Sequence, residues 1–353
     1  MSKLNDENCG DLLSKYNFDQ FCEILKSSNL TYINLTGYNY FCLEKIINIE
    51  KIKLLGEAFK YNSCLKTIIL SKNKLDDTEI KIFCESIYNS QLYELNLKDN
   101  NISNEGIKFI ADLLKNNKTI KKLNLCCNLN INEKGIKILC DSLKYSRSQL
   151  DELDLQENFI GKEGAIFIAD LLKVNKFLQD LNLDHTYIYN EGIEYIAKSL
   201  ETNKYLKYLD LSNNKIDKNG AKFIADFLKV NKSLKFLNLD CNNIGNNGVE
   251  FIFESKLYLN ILSLCNNGVG DVGANFIIES LKINKSLKLY IYNNLIHNSK
   301  LDHIYNLLII NRNIIDKIIK ECAEEKICFT VYSITHGLSW LSEFLEFFDA
   351  ISI

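Results

Sequence analysis

One spacing, L-x-x-L-x-L-x-x-N-x-I, runs through most of the chain and restricts its folding more than any other feature. It is read at Leu92, Leu95, Leu97, Asn100 and Ile102, and again at Leu150, Leu153, Leu155, Asn158 and Ile160. Further copies lie at Leu206, Leu209, Leu211, Asn214 and Ile216, and at Leu234, Leu237, Leu239, Asn242 and Ile244. The asparagine position recurs at 73, 100, 128, 158, 186, 214, 242, 267 and 294, and a degenerate first copy occupies Leu30, Ile33, Leu35 and Tyr38. Between copies the period changes. Residues 105–114, 163–172 and 219–228 keep apolar side chains at i, i+3, i+4 and i+7, the pattern of an amphipathic helix, which a glycine turn is expected to open. Each unit is therefore a short strand, a turn and a helix. Its strand leucines and helix stripe stay uncovered until a neighbour stacks on them, at roughly 1.5–3 kcal/mol per buried leucine. One such unit cannot stand alone, and ten in series can.

The asparagine is expected to be structural. Its amide can satisfy a donor and an acceptor where the backbone bends inward after the strand, and losing a buried partner costs about 1–3 kcal/mol. Thr186 and Tyr38 replace it, so those two turns are expected to be looser or differently bonded.

These residues resemble leucine-rich repeats of the 28-residue ribonuclease-inhibitor subtype, found also in cytosolic NOD-like receptors and Ran GTPase-activating proteins. The resemblance implies an α/β fold: a leucine-rich repeat solenoid, or horseshoe, with a parallel concave β-sheet, convex helices and terminal caps. Residues 1–29 are expected to form an N-terminal capping helical segment, with Phe21, Ile24 and Leu25 against the first repeat. Residues 30–310 form the array of about ten repeats, and 311–353 a C-terminal helical cap. In that cap Asn311, Arg312 and Asn313 are expected to end one helix and Ile314 to begin another. A strand over 328–333 and an aromatic final helix follow.

Composition narrows the function. The 353 residues contain no proline, where average usage near 5% would give roughly 18, which excludes proline-rich linkers and ligands. Arginine is confined to Arg147 and Arg312, and asparagine is abundant, a bias of A/T-rich coding that cautions against reading function into lysine or asparagine. A net charge of -3 gives no reason to expect nucleic acid as a partner. Twelve scattered cysteines without C-x-x-C spacing imply free thiols in a reducing compartment. With no apolar leader and no apolar stretch of spanning length, the expected location is cytoplasmic and off the membrane. No phosphate-binding loop occurs. The four histidines, His185, His297, His303 and His336, have no local ligand or acid–base partners, so no cofactor, metal or catalysis is expected. Cys84 and Cys140 are expected in the core, whereas adjacent Cys126 and Cys127 are expected to face opposite ways, one lining the concave face.

The residues flanking the strand leucines point to that face. Acid concentrates among them at Glu152, Asp154, Glu157, Asp180, Asp184, Asp210 and Asp240, with no lysine in the inward columns from Glu152 onward. Tyr208, Phe236 and Ile261 stand beside the strip and are expected to be only partly covered. Like charges on neighbouring strands repel, and aromatic anchors ringed by charge are how protein-binding surfaces are commonly built. The expected function is a non-enzymatic scaffold or adaptor holding a protein partner, through a basic segment, on repeats five to eight. The plainer alternative is a solvated face. A functional rival is a GTPase-activating protein of the Ran type, acting through Arg147 in the lengthened turn 145–149.

Overall fold

The computed structural model describes residues 17–37, 47–145, 148–255 and 257–324. The first half runs α1 (Phe18–Ser27), β1 (Tyr32–Asn34), α2 (Ile49–Tyr61), β2 (Thr67–Ile69), α3 (Asp77–Ser86), β3 (Glu94–Asn96), α4 (Asn104–Asn116), β4 (Lys122–Asn124), α5 (Glu133–Tyr145) and β5 (Glu152–Asp154). The second continues with α6 (Gly161–Val174), β6 (Asp180–Asn182), α7 (Tyr189–Leu200), β7 (Tyr208–Asp210), α8 (Lys218–Val230), β8 (Phe236–Asn238), α9 (Gly245–Glu254), β9 (Ile261–Ser263), α10 (Asp271–Ile283), β10 (Lys288–Tyr290) and α11 (Asn298–Glu324). The strands form one parallel sheet in chain order, so no crossover skips a neighbour. Strands stack about 4.8 Å apart while packed helices need about 8–10 Å, so the array bends with the sheet on its inner, concave side.

Register follows the leucines. Leu153 lies opposite Leu123 on one side and Leu181 on the other, and all three are buried between sheet and helices. The helix stripe closes the same core from outside: Ile168, Leu171 and Leu172 of α6 are buried, as are Ile224, Phe227 and Leu228 of α8.

The repeated glycine does not open the helix as a turn. Gly106, Gly164 and Gly220 sit inside the first helical turn. A Cβ on Gly220 would come within 2.5 Å of Asn190 Oδ1 and 2.6 Å of Ile216 Cγ2. Successive helix starts are packed too closely for any side chain there.

Asparagine builds three ladders rather than one. At the bend after the strand, Asn100 Nδ2 donates to the Leu70 and Leu97 carbonyls at 3.0 and 2.9 Å, while its Oδ1 accepts from the Asn73 and Leu75 amides at 3.1 and 3.0 Å. Just beyond a helix, Asn203 Nδ2 donates to the Leu172 carbonyl at 2.7 Å, and its Oδ1 accepts from the Tyr205 and Leu206 amides, both at 2.9 Å. At the helix start, Asn190 Oδ1 accepts from the Asp217 and Gly220 amides of the next unit at 3.0 and 3.2 Å. Biased coding therefore does not account for asparagine at these positions. Each satisfies backbone groups that neither sheet nor helix can reach. Thr186 is differently bonded, not looser: it is fully buried and its Oγ1 donates to the Leu183 carbonyl at 2.6 Å. Tyr38 lies outside the described residues.

The described ends depart from expectation in two places. In α1, which begins with Asn17 and Gln20 capping each other, Phe21, Cys22 and Leu25 are buried and Ile24 only half-buried, so the inward place expected for Ile24 belongs to Cys22. The break expected at Asn311–Asn313 is absent, and α11 runs unbroken through it. Asn311 still donates to the Leu281 carbonyl at 2.9 Å, as the post-helix asparagines do. Its buried Oδ1 finds no partner, because the following amides remain committed to the helix. The strand expected at 328–333 and the final aromatic helix lie outside the described residues.

Candidate functional site

Two inward columns line the concave face, one on each side of the buried strand leucine. The column after that leucine is a turn device. Asn182 Oδ1 accepts the amide two residues on, Asp184 N, at 2.9 Å; Asp154 takes the Gln156 amide at 3.0 Å and Asp210 the Ser212 amide at 2.8 Å in the same way. The outer oxygens of these two aspartates accept from Asn124 Nδ2 and Asn238 Nδ2, each at 2.8 Å. Asp240 replaces the missing asparagine of β9, accepting from Ser263 Oγ at 2.6 Å and the Cys265 amide at 2.7 Å. Asp184 accepts from Gln156 Nε2 and Asn213 Nδ2, both at 2.8 Å. Part of the acid read from the sequence thus has a local structural task.

The first column brings charges and aromatic rings together. Lys122, Glu152, Asp180, Tyr208, Phe236 and Ile261 stand side by side in register. Lys122 Nζ pairs with Glu152 Oε1 at 2.7 Å. The next carboxylate, Asp180, has no hydrogen bond or ion pair from its side chain among the described residues. Burial, and then the charges of Glu152 and Asp154, push Asp180 up to about 7, with Lys122 opposing. Asp154 and Asp210 are raised too, burial being the main cause. Lys122, Glu152, Asp154 and Asp180 line a shallow depression of about 260 Å3 with Asn124 and Asn182.

Several expected features are corrected by this geometry. Ile261 is only 4% exposed, because the register seats it between the longer side chains of Phe236 and Lys288. Tyr208, 39% exposed, and half-buried Phe236 remain, their ring centroids 6.1 Å apart. The lysine-free run ends at β10, whose first inward residue is Lys288. In the column beyond the third leucine, Cys126 and Ser212 are buried rather than facing outward. Cys126 and Cys127 do not diverge. Both lie past β4, and Cys127 takes a left-handed φ of 57°, which brings the two sulfurs to 3.1 Å. Glu157, with φ 54°, stands on the rim, half-buried and within 3.4 Å of Gln156 Nε2.

The described histidines are dispersed. His185 is exposed on the rim, and His297 and His303 lie before and within α11. Among the described residues no group of three His, Cys, Asp or Glu side chains could hold a metal ion, and no helix is long and apolar enough to cross a membrane. Arg147 and His336 lie outside the described residues. Sequence reading missed a rim cluster, Phe159, Tyr187 and His185, in which Phe159 and Tyr187 stack at 5.3 Å. Two of its members occupy the position after the ladder asparagine, a column that the inward reading skipped.

Comparison with known proteins agrees with this repeat geometry. The family model described as Leucine Rich repeat matches residues 88–111, 202–225 and 230–253. The chain is a leucine-rich repeat protein. It is 27% identical over 160 residues to mouse NACHT, LRR and PYD domains-containing protein 9C, covering 43% of this chain and 14% of that protein. It is 33% identical over 98 residues to the human protein 13 of the same description, covering 27% and 9%. Chicken leucine-rich repeat-containing protein 45 is 29% identical over 132 residues, covering 37% and 20%. The chain thus spans a fifth or less of the length of these relatives. Among solved structures, a chain from the yeast complex of Rad7 and Elc1 aligns with a TM-score of 0.44 at 13% identity, covering 84% of this chain and 86% of that one. Two of the matched leucine-rich repeats carry the aromatic pair and its neighbours: 202–225 holds Tyr208 and Asp210, and 230–253 holds Phe236 and Asp240. The Lys122–Glu152–Asp180 part falls between matched repeats and is positioned by the sheet register.

Proposed function

We propose that this leucine-rich repeat chain is a non-enzymatic scaffold or adaptor of the ribonuclease-inhibitor-like subtype, and that a basic segment of a partner protein docks on the concave face over β5–β8. The observation that carries the reading is Asp180. Its carboxylate is crowded by Glu152 and Asp154, has no ion pair among the described residues, and stands beside exposed Tyr208 and half-buried Phe236. A lysine or arginine brought there by a partner relieves repulsion that folding alone leaves in place. The aromatic pair offers apolar area next to that charge, the arrangement of an anchor within a polar rim. In this reading α1 and α11 cap the array, and the eight cysteines whose thiols are placed, all free, fit a reducing cytoplasm.

The test compares the wild-type chain with two immobilised variants, Asp180→Asn/Tyr208→Ala/Phe236→Ala on the concave face and Asp170→Asn/Asp226→Asn on the convex helices. Proteins retained by wild type and the convex variant, lost with the concave one and released by salt, are the expected outcome. Identical capture by all three refutes the reading.

A further inference from the structure

The rim of the sheet carries a second surface that the concave strip does not explain. Phe159 and Tyr187 stack with their planes 18° apart, and His185 packs on Tyr187 at 5.0 Å. Phe159 is 49% exposed, and an exposed Tyr189 follows. His185, Tyr187 and Tyr189 have φ of 53°, 59° and 53°, the left-handed form that equivalent turn residues such as Asn213 and Lys215 also take, so the repeat's own turn sets where these rings stand. Equivalent positions after the ladder asparagine hold Asn101, Lys215 and Asn243 in other units, so the fold does not require aromatics there.

Two carboxylates neighbour the stack along the chain. Gln156 Nε2 reaches both Glu157 Oε1 at 3.4 Å and Asp184 Oδ2 at 2.8 Å, which ties together the two acids, one two residues before Phe159 and the other next to His185. Neither pairs with a lysine or arginine among the described residues, although lysine–acid pairs are frequent on the helices. An exposed Phe159 stacked on half-buried Tyr187, with carboxylates nearby in the chain that pair with no lysine or arginine among the described residues, favours a planar cation. A guanidinium can lie on the ring while its N–H fork bonds the acids, whereas an ammonium is a compact, strongly hydrated point charge.

We propose that this rim is an arginine-reading subsite: one arginine of the docking segment stacks on Phe159 and Tyr187 and bonds Asp184 and Glu157. The inference rests on the concave-face reading and assigns its residue preference. It is tested by fluorescence anisotropy with two labelled dodecapeptides of equal charge, one with lysine as its sole basic residue and one with arginine. Wild type is expected to bind the arginine peptide at least fivefold more tightly. A Phe159→Ala/Tyr187→Asn variant is expected to bring the two affinities within twofold while leaving that for the lysine peptide unchanged. Equal affinities in the wild type overturn the arginine subsite and leave the concave reading standing. No binding of either peptide overturns both. The wild-type comparison needs no variant to fold.

Discussion

Replacing Asn214 by alanine tests whether the asparagine ladders hold the array together. Asn214 is fully buried; its Nδ2 donates to the Leu183 and Ser212 carbonyls at 2.7 and 2.9 Å, and its Oδ1 accepts from the Thr186 and Ile188 amides, both at 3.2 Å. The carbonyls keep other donors, Thr186 Oγ1 for Leu183 and the His185 amide for Ser212. The two amides lose their acceptor inside the core. At about 1–3 kcal/mol for each buried donor left unsatisfied, the expected loss is about 2–6 kcal/mol. A domain is stable by only about 5–15 kcal/mol, so the effect is large. Urea unfolding followed by circular dichroism measures it, with Asn219→Ala on the exposed face of α8 as a control expected to stay within about 0.5 kcal/mol. A loss below about 1 kcal/mol for Asn214→Ala would refute the argument.

Three further outcomes follow from the geometry. Asp180, raised from 3.8 to about 7 in the fold, binds its proton more tightly folded than unfolded; its contribution to stability is present below about pH 4 and is lost as pH rises to 7. Asp180→Asn should therefore stabilise the chain at pH 8 and leave it unchanged at pH 4. The ceiling is about 4 kcal/mol, brought to about 1–2 kcal/mol by solvent on the concave face; equal stability at both pH values contradicts the assignment. Gly220→Ala should lower stability by about 1–3 kcal/mol in thermal melts, because its Cβ meets Asn190 and Ile216. Helix propensity alone predicts a gain of about 1 kcal/mol, so the sign decides. Thr186→Asn should add about 1 kcal/mol by restoring the bond to the preceding unit that Asn158 makes with the Leu125 carbonyl; a lowered melting temperature counts against it.

The fold was legible because its strand leucines repeat with a period that only a stacked array satisfies, and all ten strands fall where the pattern puts them. The post-helix and helix-start asparagines were not. Asn203 and Asn190 lie outside the leucine frame, and their partners are backbone groups one unit away, which no local pattern reveals. The acidic strip was legible as composition but not as energetics. Asp154 and Asp210 share the turn-bonding of Asn182, whereas the Asp180 carboxylate has no such bond among the described residues, and only the folded arrangement separates the two cases. Ile261 was misplaced because exposure on a strand depends on the neighbouring side chains across the sheet, here Phe236 and Lys288. The convergence of Cys126 and Cys127 was hidden by strand alternation assumed beyond the end of β4, where one left-handed residue reverses it.

The central claim is that the Asp180 carboxylate awaits a partner's cation, and titrating that carboxyl by carbon NMR tests it directly. In the free chain Asp180 should titrate near neutrality. With the lysine dodecapeptide bound, it should fall well toward the ordinary carboxylate range, as a close positive charge favours the ionised form. A carboxyl that titrates at the same pH with and without saturating peptide would contradict the account.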